Sequence, residues 1–384
     1  MKGITLLGTG DFTHPTHFNN IVEQLQEDEH GVLWSEGGFP FLWQTEISFM
    51  YTHQGKGRRV HHLVLAPGRE VVEQIIEFLG KKGRMDYDGR PIFGMSSVEF
   101  IEGMMALSKD IEIIPAHAWT PYFGILGSKS GYDTVQECFE EKSKYVHAIE
   151  TGLSSDPPMN WRVSSLDAYQ LVSFSDLHSH WPWRMGREAT IFDCALTYKT
   201  ILRALRTGEG LAGTVEVDPH YGKYHVDGHR NCGVVMEPRE TKKVGGACPK
   251  CNQQLTIGVL HRVEMLADRE VGNKPAHAKQ FFTLAPLSEL IGAVYGIEQL
   301  SSKKIWEIYT LLIKRFGNEL AVLLQAPQQE LVNVAGEALA KVIVLNREGK
   351  LKVSPGYDGV YGKLLLEQEH REGKHSRQKS LEEF

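Results

Sequence analysis

The stretch Ile111-Glu-Ile-Ile-Pro-Ala-His117 decides the fold, because a short apolar run ends directly on a potential metal ligand. The same arrangement recurs in Leu171-Val-Ser-Phe-Ser-Asp-Leu-His178, where a β-rich run leads into a carboxylate and an imidazole. Outward from these stretches, further strands are predicted at residues 4–8, 41–51, 60–66 and 146–151, with amphipathic helices at 69–79 and 97–107. Strands that alternate with helices over residues 1–205 predict a parallel α/β fold, either a barrel or an open sheet.

Potential metal ligands recur at or near the ends of these predicted strands. In an α/β barrel the C-terminal ends of the strands meet at one mouth, where catalytic groups lie. Imidazole and carboxylate ligands together suit Zn, Mn or Fe, and two or three such ions can clamp a phosphodiester and deliver hydroxide. Each residue alone is more commonly an ordinary core or loop residue, but together they predict a catalytic metal cluster. Its candidate residues are Asp11, His14, Glu46, either His61 or His62, His117, Asp176 and His178.

Composition indicates an ordinary globular protein. The 384 residues are 41% apolar and 23% charged, which suits two or three domains. The net charge of −6 gives no global attraction to nucleic acid, although local basic patches remain compatible with it. The sequence contains neither an apolar run near the roughly 20 residues that span a bilayer nor a secretion signal. We therefore expect a cytoplasmic location and no membrane partner.

A second group of potential ligands predicts a structural zinc site. His229-Arg-Asn-Cys232 and Cys248-Pro-Lys-Cys251 are two ligand pairs, each with two intervening residues, separated by a gap of 15 residues. Four such ligands close a tetrahedral shell around zinc, which is typical of structural sites. His225 is the alternative to His229 as the fourth ligand. Five cysteines, an odd number, also argue against a disulfide framework in a cytosolic chain.

Changes in composition along the chain predict four segments. Residues 1–205 form the barrel, and residues 206–272 form the zinc-binding module. Residues 273–345 form a helical region, in which the stretch 303–316 is strongly amphipathic. Residues 346–384 comprise a Gly/Tyr segment and a charged tail that we expect to be disordered.

Several strings of residues resemble a known family. Gly8-Thr-Gly-Asp-Phe-Thr-His14, Ile113-Ile-Pro-Ala-His117 and Phe174-Ser-Asp-Leu-His178 resemble motifs of the polymerase-and-histidinol-phosphatase (PHP) superfamily. Longer strings resemble the endonuclease Q family specifically, and they are distributed over nearly the whole chain. These strings occupy residues 81–94, 116–121, 123–131, 149–157, 218–225 and 356–362.

The resemblance implies a distorted β/α barrel with a trinuclear metal site. It implies cleavage of DNA on the 5′ side of deaminated bases, such as uracil and hypoxanthine, and at abasic sites, in DNA repair. DNA with such lesions is then the partner, and divalent ions (Zn, Mn or Mg) at the barrel mouth plus one structural zinc are the cofactors. Carried over residue by residue, the metal positions are Asp11, His14, Glu46, His61 or His62, His117, Asp176 and His178.

One departure from the superfamily pattern concerns the start of the sequence. The superfamily opens with a strand that ends in His-x-His, and no such motif precedes residue 14 here. Because a barrel without its first strand exposes unpaired edges, we expect that about 30 residues are missing from this sequence. Cleavage by the chain as it stands is accordingly expected to be weak.

Basic and aromatic residues near the predicted mouth are candidate DNA contacts. Such residues are commonly solvated surface or loop packing, but beside a phosphodiesterase centre they fit backbone contacts and stacking on an everted base. The candidates are Arg58, Arg59, Trp119, Trp183 and Arg184.

Two other functions fit parts of the sequence. A small-molecule phosphoesterase of the same superfamily needs only the barrel and leaves the zinc module and the helical region unexplained. A non-catalytic zinc-containing DNA-binding protein fits the lack of His-x-His. Metal analysis separates these hypotheses, because a binding protein holds one structural zinc whereas an enzyme holds several ions. The oligomeric state stays open.

Overall fold

The computed structural model describes residues 1–87, 90–178 and 181–366. The strands are β1 Leu7–Gly8, β2 Leu25–Glu27, β3 Leu33–Ser35, β4 Pro40–His53, β5 Lys56–Ala66, β6 Ile92–Phe93, β7 Glu112–Pro115, β8 Ala148–Glu150, β9 Gln170–Val172, β10 Ala189–Phe192, β11 Leu211–Glu216, β12 Asp227–His229, β13 Val234–Met236, β14 Gln280–Thr283, β15 Lys352–Ser354 and β16 Lys363–Leu365. The helices are α1 Pro15–Gln24, α2 Arg69–Gly80, α3 Ser97–Leu107, α4 Val135–Phe139, α5 Pro157–Asn160, α6 Tyr198–Thr207, α7 Pro238–Lys243, α8 Val259–Leu266, α9 Leu287–Tyr295, α10 Lys303–Phe316, α11 Glu319–Leu324, α12 Gln328–Ala335 and α13 Glu337–Arg347. The predicted charged tail from residue 367 lies outside the described residues.

The largest sheet is built around a long hairpin. Strands β4 and β5 pair antiparallel from Trp43 opposite Ala66 to His53 opposite Lys56. The hairpin turns at Gln54 and Gly55, with φ of 52° and 72°, which fits a type I′ turn. The sheet order is β2-β3-β4-β5-β7, and β1 and β6 join β4 in parallel. Strand β7 also pairs antiparallel with β5. The prediction of a parallel sheet is therefore wrong for β4, β5 and β7, and for β4 and β5 the two-residue turn is the reason, because such a turn joins only antiparallel neighbours.

The remaining strands form smaller sheets that are separate from this one. Strands β8 and β9 pair in parallel, and β11 lies between antiparallel β10 and parallel β14. Backbone hydrogen bonds from Ala118 N to Glu150 O and from Thr151 N to Val172 O bring the ends of β7, β8 and β9 together. The described strands form separate hydrogen-bonded sheets within a mixed α/β fold, and the closed barrel stays a prediction.

The predicted helices of the first 205 residues are present. Helix α2 packs Val72, Ile75 and Leu79 into the main apolar core, and α3 packs Phe100 and Met104 into it. Helix α6 is capped at its N-terminus by Thr197, whose side chain accepts a hydrogen bond from Thr200 N, and it ends at Gly208 with φ of 76°.

Helices α9 to α13 enclose a second apolar core. Leu290, Tyr309 and Leu339 are fully buried in it, together with Val215 of β11. Helix α10 coincides with the amphipathic stretch 303–316. The helical region is therefore packed against β11, while the division into four segments stays a prediction. In the part of the chain that the structure describes, no helix has the length and apolar character needed to cross a membrane.

Candidate functional site

Three of the predicted ligands meet at one point. Glu46 lies on β4 two residues before Ser48, which pairs with His61 of β5, so both side chains share one face of the sheet. His117 follows β7, which pairs with β5 on its other side. The Glu46 Oε1 atom lies 2.9 Å from His61 Nδ1 and 3.4 Å from His117 Nε2. The two imidazole nitrogens are 3.1 Å apart.

This spacing fits a metal ion. Ligand atoms on a tetrahedral ion with bonds of about 2.1 Å lie about 3.4 Å from one another. All three distances in the cluster are between 2.9 and 3.4 Å. A single proton cannot satisfy three mutually close acceptors, whereas one divalent cation can. Glu46, His61 and His117 therefore form a candidate metal centre, which we call the Glu46 cluster.

Neighbouring groups orient His117 within the Glu46 cluster. Its backbone N–H donates to the carboxylate of Glu150 at 2.6 Å. Its Nδ1 lies 2.9 Å from the hydroxyl of Thr120, which can also donate to the carbonyl oxygens of His117 and Tyr122. If the hydroxyl donates to a carbonyl, its oxygen accepts from Nδ1–H and leaves the Nε2 lone pair for the metal.

Backbone conformation marks the same region. Asp11, His117 and Asp176 have φ of 23°, 32° and 44°, in the left-handed region that side chains other than glycine rarely adopt. Gly152 packs against His117 so closely that a Cβ atom there would lie 2.7 Å from His117 Cβ. Strained positions of this kind cluster at functional sites, because the surrounding structure must hold them in place.

Arg90 links Asp176 and His178 to the Glu46 cluster. Its Nη1 lies 2.6 Å from Glu46 Oε1, and its Nη2 lies 3.2 Å from His178 Nε2. His178 Nδ1 in turn lies 3.3 Å from Asp176 Oδ1. Asp176 and His178 therefore stand beside the cluster, at a distance that Arg90 bridges.

Asp11 and His14 lie in the loop that follows β1. This loop runs beside β4, because Gly10 N donates to the side chain of Gln44 at 3.2 Å. A hydrogen bond from Arg84 lowers the pKa of the Asp86 carboxyl group, and the nearby charge of His14 acts in the same direction. Among the described residues, neither Asp11 nor His14 belongs to a group of ligand atoms within 4.8 Å of one another.

The two histidines of the Glu46 cluster have pKa values that are shifted in opposite directions. Burial lowers the pKa of His61 to about 4, so its imidazole is neutral and able to bind a metal. Burial acts in the same direction on His117, but the hydrogen bond and charge of Glu46, with the charges of Asp176 and Glu150, raise its pKa to about 9. Burial raises the pKa of Glu150 to about 8. The negative charges that hold a proton on His117 equally favour a cation.

Three residues predicted to bind metal or DNA are buried among other protein groups instead. His62 points to the opposite face of β5 from His61, with its Nε2 2.8 Å from Ser97 Oγ and its ring beside Phe100. Trp119 is 1% exposed and donates to Asn160 Oδ1 at 2.7 Å, so neither face of its ring is open to a base. Arg58 is buried, with its guanidinium over the Tyr132 ring. The geometry thus favours His61 as the ligand and removes Trp119 and Arg58 from the accessible surface.

Other predicted DNA contacts are accessible. Arg59 is exposed on β5. Trp183 stacks on Trp181 with ring centroids 4.8 Å apart. The Arg184 guanidinium lies 5.8 Å from the ring centroid of Tyr361, which Lys223 also approaches. Aromatic and basic side chains therefore lie close together around Trp183 and Arg184.

The predicted zinc ligands also come together. The ligand atoms of His229, Cys232, Cys248 and Cys251 all lie within 4.8 Å of one another, and Cys251 Sγ is 3.3 Å from His229 Nδ1. One imidazole nitrogen and three sulfur atoms at such distances fit a closed tetrahedral shell around one metal ion. His225 lies elsewhere, with its ring centroid 4.3 Å from that of His220. The geometry therefore favours His229 over His225 as the fourth ligand.

Sequence reasoning missed residues that support the Glu46 cluster. Arg90, Thr120, Glu150 and Gly152 contact its members or pack against them. No ligand-like spacing distinguishes these residues in the sequence. All four lie within the strings that resemble endonuclease Q, and that membership is the signal that could have identified them.

Sequence comparisons identify relatives in archaea and bacteria. A family model described as the MJ0043 C-terminal domain matches residues 286–350. The uncharacterized protein MJ0043 of Methanocaldococcus jannaschii is 31% identical over 254 residues, which are 65% of this chain and 31% of that protein. The chain thus spans about a third of the length of this relative. The uncharacterized protein YqxK of Bacillus subtilis is 28% identical over 379 residues, covering 94% of this chain and 89% of that protein.

Solved structures extend the similarity to the whole fold. The lesion-specific endonuclease Q of Pyrococcus furiosus is 27% identical with a TM-score of 0.83, covering 100% of this chain and 91% of that one. An endonuclease Q in complex with a 27-mer duplex that carries an abasic lesion at the active site is 28% identical with a TM-score of 0.85. This second match covers 98% of this chain and 91% of that one. The family resemblance predicted from the sequence motifs is therefore confirmed, and the fold of the chain is similar to that of endonuclease Q over nearly its whole length.

Proposed function

We propose that the chain is a metal-dependent DNA endonuclease that cleaves the phosphodiester on the 5′ side of deaminated bases or abasic sites. The observation that carries the proposal is the Glu46 cluster, whose three ligand atoms have the spacing of a metal shell. It stands in a chain whose fold is similar to an endonuclease Q bound to an abasic lesion. Uracil and hypoxanthine as further lesions rest on the resemblance of the sequence motifs.

The residues in and around the Glu46 cluster would have separate roles in the proposed reaction. Divalent ions at the cluster would supply an activated water and Lewis acidity at the phosphodiester. Glu46, His61 and His117 would hold the first ion, with Asp176 and His178 available for a neighbouring one. Thr120 and Glu150 fix the orientation of His117. Arg90, in contact with both Glu46 and His178, offers a cationic donor to a phosphate oxygen.

Substrate contacts would come from the accessible aromatic and basic side chains. Trp183 and Arg184 could stack on or hold an extruded base, since a damaged base costs less to extrude than a paired one. Arg59 would contact the phosphate backbone. The zinc centre formed by His229, Cys232, Cys248 and Cys251 would hold its module in shape rather than take part in the reaction.

The test measures nicking of a duplex with one deoxyuridine or one abasic site, in the presence of Mn²⁺, Mg²⁺ or Zn²⁺. We expect cleavage 5′ of the lesion, however slow, and none in an undamaged duplex of the same sequence. His117→Ala should reduce the rate by at least about 100-fold, because it removes a metal ligand together with the hydrogen bond to Thr120 that orients this ligand. His30→Ala, at an exposed position, is the matched control and should leave the rate unchanged.

Two results would contradict the proposal. One is equal nicking of damaged and undamaged DNA, which would remove the lesion-reading role. The other is a chain that holds only one zinc under all metal conditions and cuts none of these substrates. That second result would support the non-catalytic binding protein instead.

A further inference from the structure

A second group of buried polar side chains lies where β9, β10 and β11 meet. It comprises the carboxyl groups of Glu188 and Glu216 and the hydroxyl groups of Thr151, Ser173 and Thr214, each of them 3% exposed or less. We call this group the Glu188–Glu216 site. None of its members belongs to the Glu46 cluster or to the zinc centre.

The strand register forces the two carboxyl groups together. Ala189 of β10 pairs with Val215 of β11 in an antiparallel arrangement, so Glu188 and Glu216 are the next cross-strand neighbours. Side chains alternate along a strand, and the pair Thr190 and Thr214 therefore shares their face. Directly opposed like charges destabilise a strand pair, so a sheet needs a compensating group at this position.

Polar atoms of the site lack protein partners. Glu188 Oε2, Glu216 Oε1, Ser173 Oγ and Thr214 Oγ1 are buried without a hydrogen-bond partner among the described residues. Burial and the charge of Glu216 hold the pKa of Glu188 well above its ordinary value, and burial raises the pKa of Glu216 to about 8. The Thr214 hydroxyl, near Glu216, and the Ser173 hydroxyl, near both carboxyl groups, act in the opposite direction without reversing these shifts. Buried polar atoms in native proteins are nearly always satisfied, so several unsatisfied atoms in one place indicate a bound ion or water.

Among the described residues, no cationic side chain forms an ion pair with either carboxyl group. Arg187 is close enough for its charge to act on Glu188, but its guanidinium donates to the carbonyl oxygens of Ser175 and Asp176 at 3.0 and 3.3 Å. The contacts made within the site are a Thr151 hydroxyl that donates to Glu216 Oε2 at 2.9 Å and the Val217 N–H near Glu188 Oε1 at 3.4 Å. Both are neutral donors, so without a bound cation the raised pKa values keep the carboxyl groups protonated, and a cation would bind by displacing these protons.

We propose that the Glu188–Glu216 site binds a hard divalent cation of the Ca²⁺ and Mg²⁺ class. All its ligand atoms are oxygens, which these ions prefer, and there is no imidazole or thiol for a transition metal. Two carboxylates match a double positive charge. The unsatisfied hydroxyl oxygens of Ser173 and Thr214 complete the ligand set. A shared proton would neutralise only one of the two carboxyl groups.

The cation would join parts of the chain that are distant in sequence. Ser173 follows β9, Glu188 precedes β10, and Glu216 ends β11. Thr151 follows Glu150, whose carboxylate accepts the His117 N–H. Val215 packs into the apolar core of the C-terminal helices. A cation here would therefore hold the helical region and the Glu46 cluster in a fixed relation.

The test compares bound cations in the native chain and in Glu188→Gln/Glu216→Gln. Both are equilibrated with millimolar CaCl₂ or MgCl₂ at a fixed low zinc concentration, and metal content is measured after gel filtration. We expect the native chain to retain one more Ca²⁺ or Mg²⁺ than the double variant, and to gain several degrees more in Tm from that ion. Glu23→Gln/Glu298→Gln, which removes two exposed carboxylates, is the matched control and should behave as the native chain.

Equal Ca²⁺ and Mg²⁺ content in the native chain and the double variant would overturn the proposal. A stability that depends on pH but not on either cation would also overturn it, in favour of a shared proton. If the double variant does not fold, Thr214→Val keeps both carboxyl groups and removes one ligand. This variant should weaken the cation affinity by about tenfold, and an unchanged affinity would contradict the site as described.

Discussion

At the residue scale, side-chain direction decides between neighbours that the sequence cannot separate. Residues 60–66 are apolar on both faces of the strand, so alternation alone does not say which of His61 and His62 points to the metal. The pairing of Ser48 with His61 places His61 with Glu46, and His62 then falls in the core beside Phe100. The ligand types were predictable from the sequence, whereas their direction depended on the register.

Thr120 is the residue whose removal tests the orientation of His117. Thr120→Val keeps the volume but removes the oxygen that lies 2.9 Å from His117 Nδ1. We expect the affinity of the Glu46 cluster for Mn²⁺ or Zn²⁺ to fall by about 10-fold or more, because the imidazole loses its second hydrogen bond. Thr120→Ser restores the hydroxyl and should restore the affinity. Metal titration by calorimetry measures both, and equal affinities of Thr120→Val and the native chain would contradict this role.

His225 gives the chain a pH-dependent stability. Burial lowers the pKa of His225 from 6.5 to about 4, against His220 on one side and the Ser154 carbonyl on the other. Its contribution is fully present above pH 6.5, and it is lost as the pH falls toward 4, because the unfolded chain binds the proton first. Over this window the loss is about 2–3 kcal/mol.

The measurement compares unfolding free energies at several pH values for the native chain and for His225→Asn. The variant should show a shallower fall in stability between pH 6.5 and pH 4. Burial raises the pKa of Asp156 to about 6, so this carboxyl group acts in the opposite direction, but it is present in both proteins. Parallel stability curves for the two proteins would show that His225 does not titrate as described.

At the element scale, the helices could be predicted from the sequence, whereas the long β4–β5 hairpin could not. Helices α2, α3 and α10 match their predicted stripes of apolar residues, because a 3.6-residue period is readable without tertiary context. The β4–β5 hairpin was not predicted, since residues 52–59 contain charged and glycine residues that obscure the alternation. The structure continues both strands through this segment to the turn at Gln54 and Gly55.

The turn residue Gly55 tests the importance of this hairpin. Gly55 has φ of 72°, and a Cβ atom there meets no neighbouring atom, so the cost of Gly55→Ala is conformational alone. We expect a loss of about 1 kcal/mol in the free energy of unfolding. Gly57→Ala is the control, because Gly57 has equal space around it and no positive φ. Chemical denaturation should show little change for Gly57→Ala, and equal losses for both variants would rule out the turn as the cause.

At the scale of the whole molecule, the segments of the chain differ in how much buried apolar surface stabilises them. The main core and the core of the C-terminal helices each contain many fully buried apolar side chains. The apolar cluster beside the zinc centre contains only Val234, Cys248 and Leu255 as buried members. A cluster of this size cannot offset the conformational entropy of the surrounding loops, and a metal held by the four proposed zinc ligands would supply the difference.

Removal of zinc should therefore loosen one segment and leave the rest intact. We expect hydrogen exchange to accelerate over residues 227–256 in the presence of a chelator or in Cys251→Ser. Helix α8 should stay protected, because Val259 and Val263 are fully buried in the main core. Cys194→Ser, which alters a cysteine outside the zinc centre, should leave exchange unchanged in the segment. If zinc removal also releases α8 and the main sheet, the module is not a separate cooperative unit, and the metal supports the fold as a whole.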